Sequence, residues 1–403
     1  MVTTGALGGI WRAEVTPWGA LVPADGSATL DWAIAADDRW HRPSAERAVR
    51  QECVQGTPVV ETRVSIPGGD AIQRIWSVAD GAGLTLMEVR NESPLPIALA
   101  VTRPDVLTNR PPADVPIEGI EMPVGSTMLP IGHRTSVVVG LAHDGSGPAP
   151  LPAGVAQPEA VVRGWRSLVE RAGRLVLPDE RAVEAVIATR CELLLGGVTD
   201  PADDPVAFLI ELGDLQRLGE LSPIQVDDVA VDVAAAIEEI ARRPGWDVDA
   251  ALDAAGRVFV HGDDRRAARD VAAVIDRRGH PTVPGWDQPR PDGARGVACV
   301  ERRLAARHEL LPAGLPASWR GTSIEAHGLP VGQSTTLSYA LRWHGEHVAV
   351  LWETAGDGEV LRSPSVAPSW SSAQGAGETL WVDPTVWTSS VMTAPVTGTG
   401  GFT

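Results

Sequence analysis

A chain of 403 residues with a net charge of -18 has no basic stripe for a phosphate backbone, so its composition argues against nucleic acids and anionic membranes as partners. All 34 basic residues are arginines, and the absence of lysine excludes the Walker phosphate loop, the Schiff base to pyridoxal phosphate and the Ser-x-x-Lys acyl transferase. The apolar fraction of 44% is ordinary for a globular protein, and the length suits about two or three domains.

Residues 1–150 read as an antiparallel β-sandwich. The opening Met1-Val2-Thr3-Thr4-Gly5 lacks the basic and apolar regions of a secretory leader, and no run of about 18 apolar residues follows, so a cytoplasmic location is expected. Alternating runs at 59–66 and 71–78 flank Pro67-Gly68-Gly69-Asp70, a hairpin signal. A second hairpin is expected between 84–91 and 95–102 around Glu92-Ser93-Pro94, and a strand at 137–141 closes the set. The Gly/Pro/Ala-rich stretch at 144–158 reads as a linker.

Residues 159–311 carry apolar side chains at helical spacing and predict about six or seven helices arranged as αα-hairpins. Expected spans are 159–172, a helix opening at Asp179-Glu180 and ending at Gly196-Gly197, one after Asp204-Pro205 ending near Gly219, then 226–242, 247–260, one capped by Asp263-Asp264, and 296–310. Residues 312–387 return to strands, with 335–343 pairing 347–352 across His344-Gly345-Glu346 and a third strand at 380–382. The tail at 388–403 is small and polar, which predicts disorder. The fold class is therefore α+β and multidomain.

This layout, with Arg163-Gly164-Trp165 on the first helix and Leu177-Pro178-Asp179 before the second, resembles the six-hairpin glycosidases, a group of glucoamylase-like and related bacterial enzymes, over about residues 10–260. The resemblance implies a β-sandwich ahead of an α/α toroid, and a carboxylate acid/base pair acting on an oligosaccharide. A closed toroid takes more helices than this segment supplies. The expected form is a partial toroid, an open arc whose edge the C-terminal β-region, a second copy or a protein partner would cover.

Glycoside inversion needs two carboxylates about 6.5–9.5 Å apart. Trp246-Asp247 and Trp286-Asp287, each directly after Pro-Gly, supply candidate carboxylates beside candidate stacking rings, while Glu211 and Asp214 share a helix face. Each has a plainer reading, as a helix N-cap with a packed indole for the Trp-Asp pairs and a solvated face for Glu211 and Asp214. Trp165 joins Trp246 and Trp286 as a candidate sugar platform, in a chain with 14 Trp against one Tyr and three Phe. No cofactor or metal is expected: Cys53, Cys191 and Cys299 are scattered, and His344, Glu346 and His347 sit at a turn rather than on a metal-binding helix. Three functions stay open, a reduced glycoside hydrolase, a non-catalytic binding or interaction protein on the same scaffold, and a self-assembling structural protein.

Overall fold

The computed structural model describes residues 1–36, 39–113, 125–279, 282–345, 347–356 and 360–382; the expected disordered tail and Glu346 lie outside the described residues. The chain divides into two compact units, Met1–Glu170 with Glu184–Gly197, and Arg171–Val183 with Val198–Thr403. The architecture is mixed, with largely antiparallel sheets and, among the described residues, seven α-helices. None of these helices is long and apolar enough to cross a membrane.

In the first unit a seven-stranded sheet runs, edge to edge, through Ala149–Pro150, Leu107–Thr108, Ser136–Ala142, Leu84–Asn91, Gly69–Val78, Val60–Ile66 and Val49–Cys53. The expected hairpin forms, with a shorter turn: Ile66 pairs with Gly69, so Gly69 and Asp70 belong to the second strand and Pro67-Gly68 alone makes the reversal, with Gly68 at φ 80. A four-stranded sheet orders Thr127–Ile131, Ile97–Val101, Trp32–Ala35 and Trp40–His41. Val64, Ile75, Met87 and Val139 of the larger sheet share one buried cluster with Ile34, Leu99 and Leu129 of the smaller. Each such side chain contributes about 1.5–3 kcal/mol by leaving water. The next residue along the strand, Trp76, points the other way, as a pleat requires. It packs with Val162 of helix α1 (Pro158–Val169), and its indole donates to the Ala156 carbonyl at 2.9 Å.

One expectation here fails. Residues 84–91 and 95–102 do not form a hairpin; Ile97–Val101 crosses to the four-stranded sheet and pairs with Thr127–Ile131 and Trp32–Ala35. Pro96, in the expected second strand, removes an N–H group that a hairpin ladder would use. Meanwhile the Glu92 N–H donates to the Asp70 carbonyl, and the Asn91 amide donates to the carbonyls of Leu95 and Gly132. The chain turns a corner instead.

Helix α2 (Glu180–Gly196) starts where the Asp179 carboxylate accepts from the Ala182 N–H, and the unit boundary passes through it. The second unit holds α3 (Pro205–Leu218), α4 (Pro223–Ile240), α5 (Trp246–His261), α6 (Arg265–Arg278) and α7 (Gly293–Leu304). Asp204 caps α3 by accepting from the Ala207 N–H with Pro205 behind it, and Gly219 at φ 77 ends it. Ser222 and Gln225 form a reciprocal capping box, so α4 begins ahead of its apolar pattern. Helix α5 is the middle of the group, touching α3, α4, α6 and α7. Its Ala250, Ala251, Ala254, Ala255 and Gly256 are all buried, and small residues let neighbouring helices come close. Gly213 of α3 faces Ala254, where a Cβ would meet the alanine methyl at 2.7 Å.

The last helix stops short of the expected 296–310. After Leu304 the chain makes a tight hairpin, Ala305–Ala306 against Glu309–Leu310, with Arg307 (φ 42) and His308 (φ 64) as its two turn residues. Two left-handed residues in a two-residue loop reverse a hairpin in the sense that matches strand twist. Glycine and asparagine do this without strain, whereas here an arginine and a histidine do it. The C-terminal strands Ile324–Pro330, Thr336–His344, His347–Ala355 and Ala376–Val382 form a sheet joined by Arg174–Val176, with His344 opposite His347 as the hairpin reading requires.

Candidate functional site

A cavity of about 280 Å³ opens inside the second unit. Helix α3 lines it with Ile210, Asp214 and Arg217, and α5 with Ala250, Asp253, Ala254 and Arg257. Both sets follow i, i+4, i+7 spacing, so each helix presents one continuous stripe. From α6 come Ala272 and Asp276, from α7 Glu301 and Arg302, from the tight hairpin Arg307 and His308, and from the segment after Pro330 the carboxamide of Gln333.

The charges are arranged in two groups. Arg217 grips Glu301 through both terminal nitrogens at 2.8 Å and also donates to Asp214 at 3.0 Å. These three side chains are only 7–8% exposed, so they form a desolvated triad. In the second group Arg302 donates to Asp253 at 2.7 Å, and Arg307 stands 3.9 Å from the same carboxylate while donating to the Gly279 carbonyl at 2.7 Å. Arg257 belongs to neither. Burial, with the charge of Arg217 adding to it, pushes its guanidinium down to about 10.

Several donors around this cavity have no acceptor among the described residues: Nε of Arg257, Nε and Nη2 of Arg302, and Nε and Nη2 of Arg307. Buried N–H groups of this kind are rare in folded proteins, because each forfeits its water without recovering a partner.

No protein-family model matches the chain, and no curated protein matches it.

The structure places the candidate residues from sequence in different surroundings. Asp214 lines the cavity, bound to Arg217. Glu211, three residues earlier, does not: its carboxylate accepts from the N–H and hydroxyl of Thr199, and burial raises its carboxyl above the usual range. Asp247 lies in the first turn of α5, two residues inside the cap position, which Gly245 takes. It pairs with Arg295 at 3.2 Å, and Arg295 also grips Asp204 with two nitrogens. Asp287 sits in a turn rather than at a helix start. Trp246 packs against the helical core. Trp286 donates to the Gly314 carbonyl at 3.0 Å, meets Trp319 edge-on at 4.7 Å and carries Arg303 on its face at 5.1 Å. Trp165 is buried in the first unit. Asp214 is the one candidate that reaches the cavity, and none of the three candidate tryptophans lines it.

Sequence reasoning missed Arg217, Asp253, Arg257, Glu301, Arg302, Arg307 and Gln333. The available signal was a pair of charges four apart, Asp253 and Arg257, on an otherwise alanine-rich helix whose surface is nearly all buried. Charges on such a helix need an interior partner or an interior ligand. Among the described residues, no three His, Cys, Asp or Glu are grouped to hold a metal ion.

Proposed function

We propose that this chain is a carbohydrate-associated protein related in layout to the six-hairpin glycosidases, a β-sandwich followed by a partial α/α toroid, and that it binds its ligand in the cavity without cleaving it. The supporting observation is the lining, in which carboxylates, guanidiniums and Gln333 surround a partly open cavity. Such groups offer both the acceptors and the donors that sugar hydroxyls use. Binding is favoured over hydrolysis because three of the four lining acids are already engaged, Asp214 and Glu301 with Arg217, and Asp253 with Arg302, which leaves Asp276 without the second free carboxyl that the reaction needs. Glycoside hydrolysis needs one carboxyl with a proton to give, facing a second carboxylate. A carboxylate held by guanidinium N–H groups only accepts.

The test is titration calorimetry of the full chain against neutral and charged mono- and oligosaccharides, with release of reducing ends followed in parallel. Saturable binding that disappears in Ala272→Phe, which fills the cavity without touching its charges, together with no released reducing ends, is the expected result. Reducing ends that appear with wild-type protein would overturn the non-catalytic assignment. A panel in which no sugar binds would overturn the carbohydrate one.

A further inference from the structure

We infer that the occupant of this cavity carries an anionic group, a carboxylate or a phosphate, that docks against Arg257, Arg302 and Arg307. The inference rests on the cavity being a binding site and goes further, to the chemistry of what binds.

Three elements send guanidiniums to one space: α5 with Arg257, α7 with Arg302 and the tight hairpin with Arg307. Among the described residues only one carboxylate, Asp253, is within ion-pair distance of any of them. The acids of the other group, Asp214 and Glu301, are gripped by Arg217, and α6 contributes Asp276 to the lining without a hydrogen bond to any of the three. The five orphaned nitrogens described above therefore belong to three guanidiniums that line one space. Arg302 is 6% exposed, so its unused Nε and Nη2 do not reach bulk water. A guanidinium presents its N–H groups as a planar fork, and the groups that match a fork are carboxylate and phosphate oxygens. A neutral hydroxyl could satisfy one N–H at a time; an oxyanion satisfies two and cancels charge as well.

The backbone supports the same assignment. Arg307 holds a left-handed φ in a turn where glycine would be unstrained, and strain of this kind is retained where the side chain has a task. Burial is the main cause of the depressed Arg257 guanidinium, and an oxyanion seated on its fork would supply the solvation that burial removes.

The experiment is calorimetry on the full chain with four probes: glucose, glucuronate, glucose 6-phosphate and inorganic phosphate. The expected result is that at least one anionic probe binds about 10- to 100-fold more tightly than glucose, the worth of charge-assisted hydrogen bonds. Arg257→Met should remove that preference, while Arg171→Met, outside the cavity, should leave it intact. Arg257→Met should also melt no lower than the wild type, since it deletes a buried charge without a hydrogen-bond partner among the described residues. A large fall in its melting temperature would make Arg257 a structural ion and overturn the inference. Glucose binding as tightly as its anionic counterparts would overturn it too, while leaving the carbohydrate reading in place. Inorganic phosphate binding as tightly as the sugar anions would uphold the anion site and remove the case for a sugar. Silence from all four probes would sink both.

Discussion

Arg217→Met should be the most destabilising single change in the cavity. The wild-type guanidinium makes three charge-assisted bonds, two to Glu301 and one to Asp214, and all three side chains are at most 8% exposed. At that burial the small value of a surface salt bridge does not apply. Removing one member of a desolvated ionic group costs about 3–5 kcal/mol, because charges are left behind without their counter-ion. Both acids keep other interactions, so the lower end, about 3 kcal/mol, is the expected loss. Glu301→Gln should cost less, since Arg217 then still faces Asp214. Replacing both Arg217 and Glu301 with Met should recover part of the single-mutant loss, because the pair leaves together. Urea unfolding followed by far-UV circular dichroism reads this out, with most of the described helical residues belonging to the second unit. A loss below about 1 kcal/mol, or a Glu301→Gln loss exceeding that of Arg217→Met, would refute the triad as a desolvated unit.

Three further outcomes follow. His143 lies flat against Trp11 at 4.1 Å with its Nε2 2.9 Å from the Thr85 hydroxyl, and burial lowers it from 6.5 to about 4. Between those values the unfolded chain takes up a proton that the folded one refuses, so the first unit should lose stability as pH falls from about 6.5 to about 4. Half-burial reduces the loss to about 1–2 kcal/mol, which His143→Gln should abolish and an imidazole NMR titration should report directly. Glu211 has the opposite sign: its raised carboxyl means stability declines as pH climbs through and above the ordinary carboxylate range, and urea midpoints of Glu211→Gln should lack that slope. Arg307→Asn should leave the melting temperature nearly unchanged, because relief of about 1 kcal/mol of left-handed strain offsets the lost bond to Gly279, of similar size. Anion affinity should nonetheless fall in that variant.

Much of the secondary structure was legible because its signals are local. Asp204-Pro205, Asp264 and Pro67-Gly68 act through the backbone of their immediate neighbours, and the helices and turn appear where those residues place them. Ser222-Pro223-Ile224-Gln225 was equally local and was overlooked because the apolar pattern begins only at Val226. The swap of Ile97–Val101 between sheets was not legible, since its partners lie about thirty to seventy residues away and all five of its residues are buried, which erases the alternation that marks a sheet face. The cavity was hidden for a related reason. Its charged residues come from separate segments, and each alone resembles a solvated helix face until the burial of the alanines around it is known. The Trp-Asp pairs drew attention by composition, yet the indole of Trp286 is already occupied by a carbonyl, a second tryptophan and an arginine.

Gln333 gives the cavity a property separate from its charge. Its amide donates to the Ala268 carbonyl of α6 at 3.1 Å, and the side chain lies against Gly256 of α5, where an added Cβ would come within 2.5 Å of Nε2. The segment that carries it is thus fastened to one helix and pressed on another. Any side chain at position 256 would push the carboxamide off the Ala268 carbonyl, so a glycine on α5, which carries no polar group of its own, fixes where this wall of the cavity stands.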